Sequence, residues 1–264
     1  MAELAKYSVK DGIATITLDD PPVNGYTYEM NRAVDEAILK ARFDTSVSVI
    51  VLRGSGEKFF CAGANINMLQ KSDPTFKYFF CLHANETLSR LEQTPKLTIA
   101  ALNGHCVGGG LEYAMACDLR IARKNAGKTG LPEVTLGVLP GTGGTQRLVR
   151  IVGKSKAIEL MTVGNLLSFE EAQQLGLVNQ IFDGETSDAF MAKVYDYARQ
   201  FCPPNKASMA VGHIKRAVQT GAEVPLEYGL ALERELQAKL FSSGDAKIGL
   251  KAYVEKAKPE FKGT

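Results

Sequence analysis

Three segments of the chain combine residue types that are costly for packing alone but useful for chemistry. They are residues 61–66 (CAGANI), 103–112 (NGHCVGGGLE) and 131–146 (LPEVTLGVLPGTGGTQ). Each of the last two carries a glutamate in an apolar stretch, Glu112 and Glu133. Because apolar surroundings raise the pKa of a carboxyl group, two such glutamates can serve as a general acid and a general base near neutral pH.

The glycine run at 108–110 predicts an accessible helix start directly before Glu112. Glycines leave the backbone N–H groups open to a ligand, and the first N–H groups of a helix have no partner within it. The small residues Gly63 and Ala64 offer another N–H donor. Two donors aimed at one carbonyl oxygen stabilise an enolate by about 3–4 kcal/mol each in comparable enzymes. Any one segment alone fits close packing equally well, so the prediction depends on the set.

The elements that must position these segments follow an α/β pattern in the first half of the chain. Residues 28–41 place apolar side chains at helical spacing, and residues 103–110 (NGHCVGGG) are interpreted as a loop that leads into a helix from residue 111. Short strands alternating with helices indicate an α/β domain. The strands are predicted at 13–18, 47–53, 97–102 and 119–122.

From about Lys154 the pattern becomes mainly helical, interrupted only by an apolar strand at 178–182. The sequence CPPN at 202–205 is the clearest boundary, and it divides the chain into a core at 1–200 and a helical region at 201–264. A helical region of about sixty residues buries little surface by itself. We therefore expect it to pack on the core or on another subunit.

Composition and motifs exclude several other classes of protein. With 31 basic and 29 acidic residues the net charge is +2, without the basic stripe that nucleic-acid binding requires. The five cysteines form no CxxC pair and the three histidines have no ligand spacing, so neither a disulfide framework nor a metal site is expected. A Walker A loop fails at Leu148 and a dinucleotide fingerprint fails at Gln146. No GxSxG motif of a serine hydrolase is present.

The N-terminal residues MAELAKYSVKDG lack the apolar core of a signal peptide and the amphipathic pattern of a presequence. The apolar stretches along the chain are short and interrupted, so no membrane span is expected. These features predict a cytoplasmic protein.

The three segments resemble the crotonase (enoyl-CoA hydratase/isomerase) superfamily, whose patterns read CAGADI, NGxxxGGGxEL and GxPExxLGxxPGxGGTQ. The similarity extends to PPVNGYT, GKSKAIELMTVG, EEAQQLGLVN and AYVEKAKPEFKG and so covers essentially the whole chain. The resemblance implies a spiral of ββα units over residues 1–200, followed by helices that form trimers. Trimers paired into hexamers are also expected from it.

The same resemblance implies roles for individual residues. Backbone N–H groups at Ala64 and Gly109 would form the oxyanion hole, and Glu112 and Glu133 would be catalytic. Coenzyme A would arrive as part of an acyl-CoA substrate, and no permanently bound cofactor or metal is implied. The positions expected to bind that substrate are Ala62, Asn65, Ile66, Gly108, Gly141, Tyr26 and Lys258.

The presence of both glutamates favours hydration of a 2-enoyl-CoA, because simple isomerases of the family generally lack the first. Another reaction of the family stays open, either double-bond isomerisation or dehydration of a branched or cyclic hydroxyacyl-CoA. A binding role toward RNA, known for a few relatives, is the remote alternative. Asn65 departs from the usual aspartate and Tyr26 from a smaller residue. The aromatics of segment 76–80 either line an acyl pocket or, more simply, pack in the core.

Overall fold

The computed structural model describes residues 3–264. Helices and strands alternate through the first two thirds of the chain, and only helices follow residue 182 in the described residues. The elements in chain order are β1 Ala5–Lys10, β2 Ile13–Leu18, α1 Tyr28–Phe43, β3 Val49–Gly54, β4 Phe59–Cys61, α2 Ile66–Lys71, α3 Pro74–Glu92, β5 Leu97–Leu102, β6 His105–Val107, α4 Gly109–Met115, β7 Leu119–Arg123, β8 Lys128–Gly130, a 3₁₀ helix Glu133–Leu136, α5 Gly144–Val152, α6 Lys154–Val163, β9 Leu167–Ser168, α7 Phe169–Gln174, β10 Gln180–Phe182, α8 Ser187–Arg199, α9 Ser208–Gly221, α10 Leu226–Phe241 and α11 Gly244–Val254.

From β3 to β8, successive strands alternate between two sheets. The larger sheet has the order β1-β2-β3-β5-β7-β10 and the smaller one has the order β4-β6-β8-β9. All neighbours are parallel except β1 with β2 and β8 with β9. Over this stretch each turn of the chain adds one strand to each sheet before a helix, which is the spiral of ββα units that the family resemblance implies.

The central strands of the larger sheet are buried on both faces, as parallel strands usually are. Ile50 and Leu52 of β3 pack into the core on the side of α1 and α4. Val49 and Val51 alternate with them and face α8, where Phe190 is fully buried. Because successive side chains of a strand point to opposite faces, this short apolar strand contributes residues to the core on each side of the sheet.

Most predicted elements of the first half are confirmed, with small changes at their ends. The strands at 13–18 and 97–102 are found as predicted, and α1 begins after Thr27, whose side chain accepts a hydrogen bond from the Met30 N–H. The interpretation of 103–110 as a loop is wrong, because 105–107 form strand β6 and helix α4 already begins at Gly109. The strand predicted at 178–182 is limited to β10. A strand of three residues has too few positions to show alternation.

The helical region after α8 is attached to the larger sheet by a buried ion pair. Lys215 of α9 lies 2.9 Å from an oxygen of Asp118, at the start of β7, and both side chains are largely buried. Lys215 also donates to the Lys96 carbonyl at 3.0 Å. Helix α9 therefore packs on the core, whereas the division of the chain at residue 200 stays a prediction.

Three structural findings bear on the excluded classes. All five cysteines are unpaired. Within residues 3–264, no cluster of three or more His, Cys, Asp or Glu side chains is arranged to hold a metal ion. None of the helices described there combines the length and the apolar character needed to cross a bilayer.

Candidate active site

The glycine run forms the tight start of α4, as the sequence predicts. Gly108 has a positive φ of 57° and precedes the helix without a side-chain cap, and Gly109 is the first helical residue. A Cβ on Gly110 would lie 2.2 Å from the Cys61 carbonyl oxygen, so only glycine lets α4 pack this closely on β4. This close packing brings Glu112, in the first turn of α4, into the interior.

Glu112 is almost completely buried, with 2% of its surface exposed, and residues at the start of α5 provide its hydrogen bonds. Its Oε1 accepts the N–H groups of Thr142 at 2.8 Å and Gly144 at 2.7 Å. Its Oε2 accepts the hydroxyl of Thr142. Burial raises the pKa of Glu112, and these hydrogen bonds oppose that effect by favouring the carboxylate. The result is a buried carboxyl group whose charged form is solvated by the protein.

Glu133 begins the 3₁₀ helix and is half-buried. Burial, with a further contribution from the charge of Glu112, raises its pKa from 4.5 to about 7. Among the described residues no group hydrogen-bonds to its Oε2, although that atom is buried. Its Oε1 lies against the glycine turn, since a Cβ on Gly108 would be 2.8 Å from it. Glu133 therefore has the environment of a carboxyl group that holds a proton near neutral pH.

The two N–H groups expected to form an oxyanion hole come from adjacent segments. Gly63 has a φ of 92°, and a Cβ there would lie 3.0 Å from the Gly109 nitrogen. The Tyr26 N–H donates to the Gly63 carbonyl, and the Asn65 N–H donates to the Tyr26 carbonyl, each at 3.0 Å. The N–H groups of Ala64 and Gly109 have no acceptor within residues 3–264. Two free donors on neighbouring segments fit the binding of one carbonyl oxygen.

The remaining sequence-predicted residues divide into those near this turn and one far along the chain. Ala62 and Ile66 flank the Ala64 segment, and Ile66 is exposed at the start of α2. Asn65 caps α2, its side chain accepting the Met68 N–H at 3.1 Å. Aspartate caps helices in the same way, so the departure at Asn65 preserves the local structure.

Gly141 lies beside the donors to Glu112, and its carbonyl accepts a hydrogen bond from Asn85 at 3.3 Å. Lys258, in contrast, is exposed in the segment after α11. No hydrogen bond or ion pair inside the described part of the chain connects Lys258 to the glutamates.

The aromatic residues of α3 are divided between two environments. Phe80 is buried and stacks on the ring of Tyr26, with 5.6 Å between centroids. Tyr78 and Phe79 are mostly exposed. Core packing therefore explains why position 80 is aromatic, but it does not explain Tyr78 and Phe79. The sequence pattern alone does not distinguish these two residues from Phe80.

Sequence reasoning gave no role to Thr142 and Gly144, which supply all the hydrogen bonds that residues 3–264 donate to the Glu112 carboxyl group. A Cβ on Gly144 would lie 2.9 Å from Glu112 Oε1, so glycine is required there. The signal in the sequence is the pair Gly143–Gly144 at the start of α5. Gly143 has a φ of 105°, which turns the backbone so that its neighbours face Glu112.

Comparison with known proteins agrees with the fold. Residues 8–264 match the family model described as enoyl-CoA hydratase/isomerase. The short-chain-enoyl-CoA hydratase of Clostridium acetobutylicum is 36% identical over 253 residues, covering 95% of each chain. The 2,3-dehydroadipyl-CoA hydratase of Escherichia coli is 37% identical over 227 residues, covering 84% of each.

A solved structure of an enoyl-CoA hydratase from Geobacillus kaustophilus superposes with a TM-score of 0.95 at 44% identity. The match covers 100% of this chain and 98% of that chain. Full-length agreement in sequence and structure, together with the three motifs, shows that the chain belongs to the enoyl-CoA hydratase/isomerase family of the crotonase superfamily.

Proposed function

We propose that this enzyme is an enoyl-CoA hydratase, which reversibly adds water across the C2=C3 bond of a 2-enoyl-CoA thioester. The observation that carries the proposal is the pair of carboxyl groups, Glu112 and Glu133, both with a pKa raised by burial, at one glycine turn. The relatives described above are themselves named as hydratases, which supports the same reaction. Coenzyme A is part of the substrate in this proposal, and no resident cofactor takes part.

The environments of the two glutamates support a division of labour. Three donated hydrogen bonds stabilise the charged form of Glu112, so it acts as the base that takes a proton from water as the water attacks C3. Glu133 lacks such donors on Oε2 within residues 3–264 and has a pKa of about 7, so it donates a proton to C2. In the dehydration direction each group performs the opposite transfer.

The thioester carbonyl binds between the N–H groups of Ala64 and Gly109, which stabilise the enolate formed when water adds to C3. Gly108 leaves room for the carboxyl group of Glu133 beside that carbonyl. The segment from Ala62 to Ile66 binds the thioester and pantetheine part. The N–H of Gly141 is the candidate to help hold the water.

Exposed apolar side chains support assembly into trimers or hexamers. On α10 and α11 they include Leu226, Tyr228, Phe241, Tyr253 and Val254, and Tyr253 is 84% exposed. Burying large exposed apolar side chains of this kind against another subunit would remove them from water. In such an assembly Lys258 is proposed to meet a phosphate of coenzyme A.

Product analysis on matched substrates tests this proposal against isomerisation. Purified enzyme is incubated separately with a 2-enoyl-CoA and the corresponding 3-enoyl-CoA, and the thioesters are separated by chromatography and mass. A hydratase converts the 2-enoyl substrate to a product heavier by one water and leaves the 3-enoyl substrate unchanged. Interconversion of the two enoyl substrates without water uptake would instead establish an isomerase.

A further inference from the structure

Three buried side chains, those of Tyr26, Thr142 and Glu112, are connected in a row behind the glycine turn. The reaction proposed above uses only Glu112. Tyr26 and Thr142 are 3% and 2% exposed. The Tyr26 hydroxyl lies 3.3 Å from Thr142 Oγ1, and the Thr142 hydroxyl donates to Glu112 Oε2. The three side chains come from the segment before α1, the segment before α5 and helix α4, which are far apart in sequence.

Counting donors and acceptors fixes the direction of these hydrogen bonds. A hydroxyl group has one proton, and Thr142 gives its proton to the carboxylate. While Glu112 is ionised, Tyr26 is therefore the donor in the Tyr26–Thr142 contact. A carboxylate offers about four acceptor positions, and the protein fills two on Oε1 and one on Oε2 of Glu112. One position is left, and it belongs to Oε2.

The side chain of Tyr26 is packed on several sides, and this packing holds its hydroxyl group beside Thr142. Its ring packs against Phe80 and Tyr113, with centroids 5.6 and 5.3 Å away. A Cβ on Gly109 would lie 2.3 Å from the Tyr26 hydroxyl oxygen, so that oxygen also supports the turn. Burial raises the pKa of Tyr26 well above its ordinary value, so the hydroxyl keeps its proton and remains a donor.

We propose that Tyr26 and Thr142 are positioning residues that hold Glu112 as an ionised base with a single open acceptor position on Oε2. This inference rests on the proposed hydratase function and names the groups that prepare its base. Tyr26 orients the Thr142 hydroxyl, and that hydroxyl orients the carboxylate. The proton removed from water then has one place to go, which is Oε2.

Groups near Glu112 that change charge with pH would also alter its pKa, so each must be identified before the pKa of Glu112 is measured. Tyr26, Tyr113 and Cys81 have raised pKa values and stay neutral, and Arg147 is held by an ion pair with Glu92 at 2.8 Å. Glu133 is the other group that titrates in the working range. The groups that face Glu112 are therefore Glu133 of the 3₁₀ helix, Arg147 of α5, Cys81 of α3, Tyr113 of α4 and Tyr26 before α1.

Removing the Thr142 hydroxyl removes one hydrogen bond to a charged carboxylate. Loss of this bond destabilises the charged form of Glu112 and raises its pKa by about one to two pH units. Because the base must be ionised, the acid limb of kcat/KM moves to higher pH by a similar amount. Tyr26 acts through Thr142 over a longer contact, so its hydroxyl contributes less, about half a pH unit.

The test compares Thr142→Val, which removes the hydroxyl at nearly constant shape, with Thr142→Ser, which keeps it. Tyr26→Phe removes the second hydroxyl of the row. Two matched controls are available, because the hydroxyls of Thr87 and Tyr7 are buried without a hydrogen-bond partner in residues 3–264. Thr87→Val and Tyr7→Phe therefore make the same chemical changes without breaking a hydrogen bond.

Two readouts are taken for each variant: the pH profile of kcat/KM with crotonyl-CoA, and an infrared titration of Glu112. The infrared titration is made in a Glu133→Gln background, and the spectrum of the double variant Glu112→Gln/Glu133→Gln is subtracted. We expect Thr142→Val to raise the Glu112 midpoint and the acid limb by about one pH unit or more, and Tyr26→Phe by about half a unit. Thr142→Ser and both controls stay at the values of the parent protein.

The proposal is overturned if Thr142→Val leaves the infrared midpoint where the controls leave it. It is equally overturned if Thr142→Val lowers activity by the same factor at every pH, since that result describes a structural role alone. Absence of turnover in the wild type with any enoyl-CoA would contradict the hydratase function. The infrared titration does not depend on turnover, so it still decides the role of Thr142 in that case.

Discussion

Replacing Glu133 with glutamine should stabilise the folded protein at alkaline pH, although Glu133 is proposed to be catalytic. The pKa of Glu133 is raised by burial to about 7, whereas an unfolded chain ionises near 4.5. Below both pKa values the carboxyl group is neutral in the folded and the unfolded state, so it does not change the free energy of unfolding. As the pH rises from 4.5 through 7, the unfolded state loses its proton first, and the wild type loses stability.

The magnitude follows from the two pKa values. The difference between 4.5 and about 7 corresponds to a ceiling of about 3.4 kcal/mol for the pH-dependent loss. Glu133 is only half-buried, and solvent screening reduces that figure to about 2 kcal/mol. Glutamine has nearly the same shape and does not titrate, so Glu133→Gln avoids this loss.

Urea unfolding measures the effect, because urea is uncharged and leaves the ionic strength constant. Wild type and Glu133→Gln are unfolded at about pH 5 and about pH 8.5, at one protein concentration so that any assembly contributes equally. The variant should gain about 2 kcal/mol at the higher pH and less than half of that at the lower pH. An equal difference at both pH values would refute the reasoning.

Glu171 supplies a control of opposite sign. Hydrogen bonds from the N–H and hydroxyl of Ser168 lower the pKa of Glu171 in the capping box of α7. A lowered pKa stabilises the folded protein above the unfolded value and loses that effect as the pH falls. Glu171→Gln should therefore be less stable than wild type at about pH 8.5, with a smaller difference in acid.

Three further changes have outcomes that the structure determines. Gly109→Ala should lower kcat/KM with crotonyl-CoA by about 100-fold or more, because its Cβ would lie 2.3 Å from the Tyr26 hydroxyl oxygen and displace the N–H donor; near-normal activity would contradict the proposed oxyanion hole. Asn65→Asp should keep the cap of α2 and leave the free energy of unfolding within about 0.5 kcal/mol, whereas Asn65→Ala should lose about 1 kcal/mol in urea unfolding. Lys215→Met should cost about 3–5 kcal/mol by leaving the buried carboxylate of Asp118 without its ion pair, and adding Asp118→Asn should recover part of that loss in the same assay.

The strands and helices that the sequence predicts well are those with several periods of their pattern. Strands β2 and β5 and helix α1 have enough apolar positions for the alternation or the helical spacing to be read. Strands β6 and β8 have three residues each, and their pairing is decided by partners far away in the chain. Their place in the smaller sheet could be predicted only through the family resemblance.

The candidate site shows the same division. Glu112 and Glu133 are predictable because a glutamate in an apolar stretch is unusual for packing. The hydrogen bonds that Thr142 and Gly144 donate to Glu112 depend on the positive φ of Gly143 and on the approach of α5 to α4. Both depend on tertiary structure. A threonine between two glycines does not indicate in the sequence that its hydrogen-bond partner is Glu112.

The most direct test of the central claim follows the loss of absorbance at the conjugated thioester band of crotonyl-CoA. Wild type, Glu112→Gln and Glu133→Gln are compared after circular dichroism confirms that all three are folded. We expect fast loss with the wild type and a decrease of about 100-fold or more with each variant, the usual size of an acid–base contribution. An active wild type with both variants unimpaired would contradict the assignment of these two glutamates.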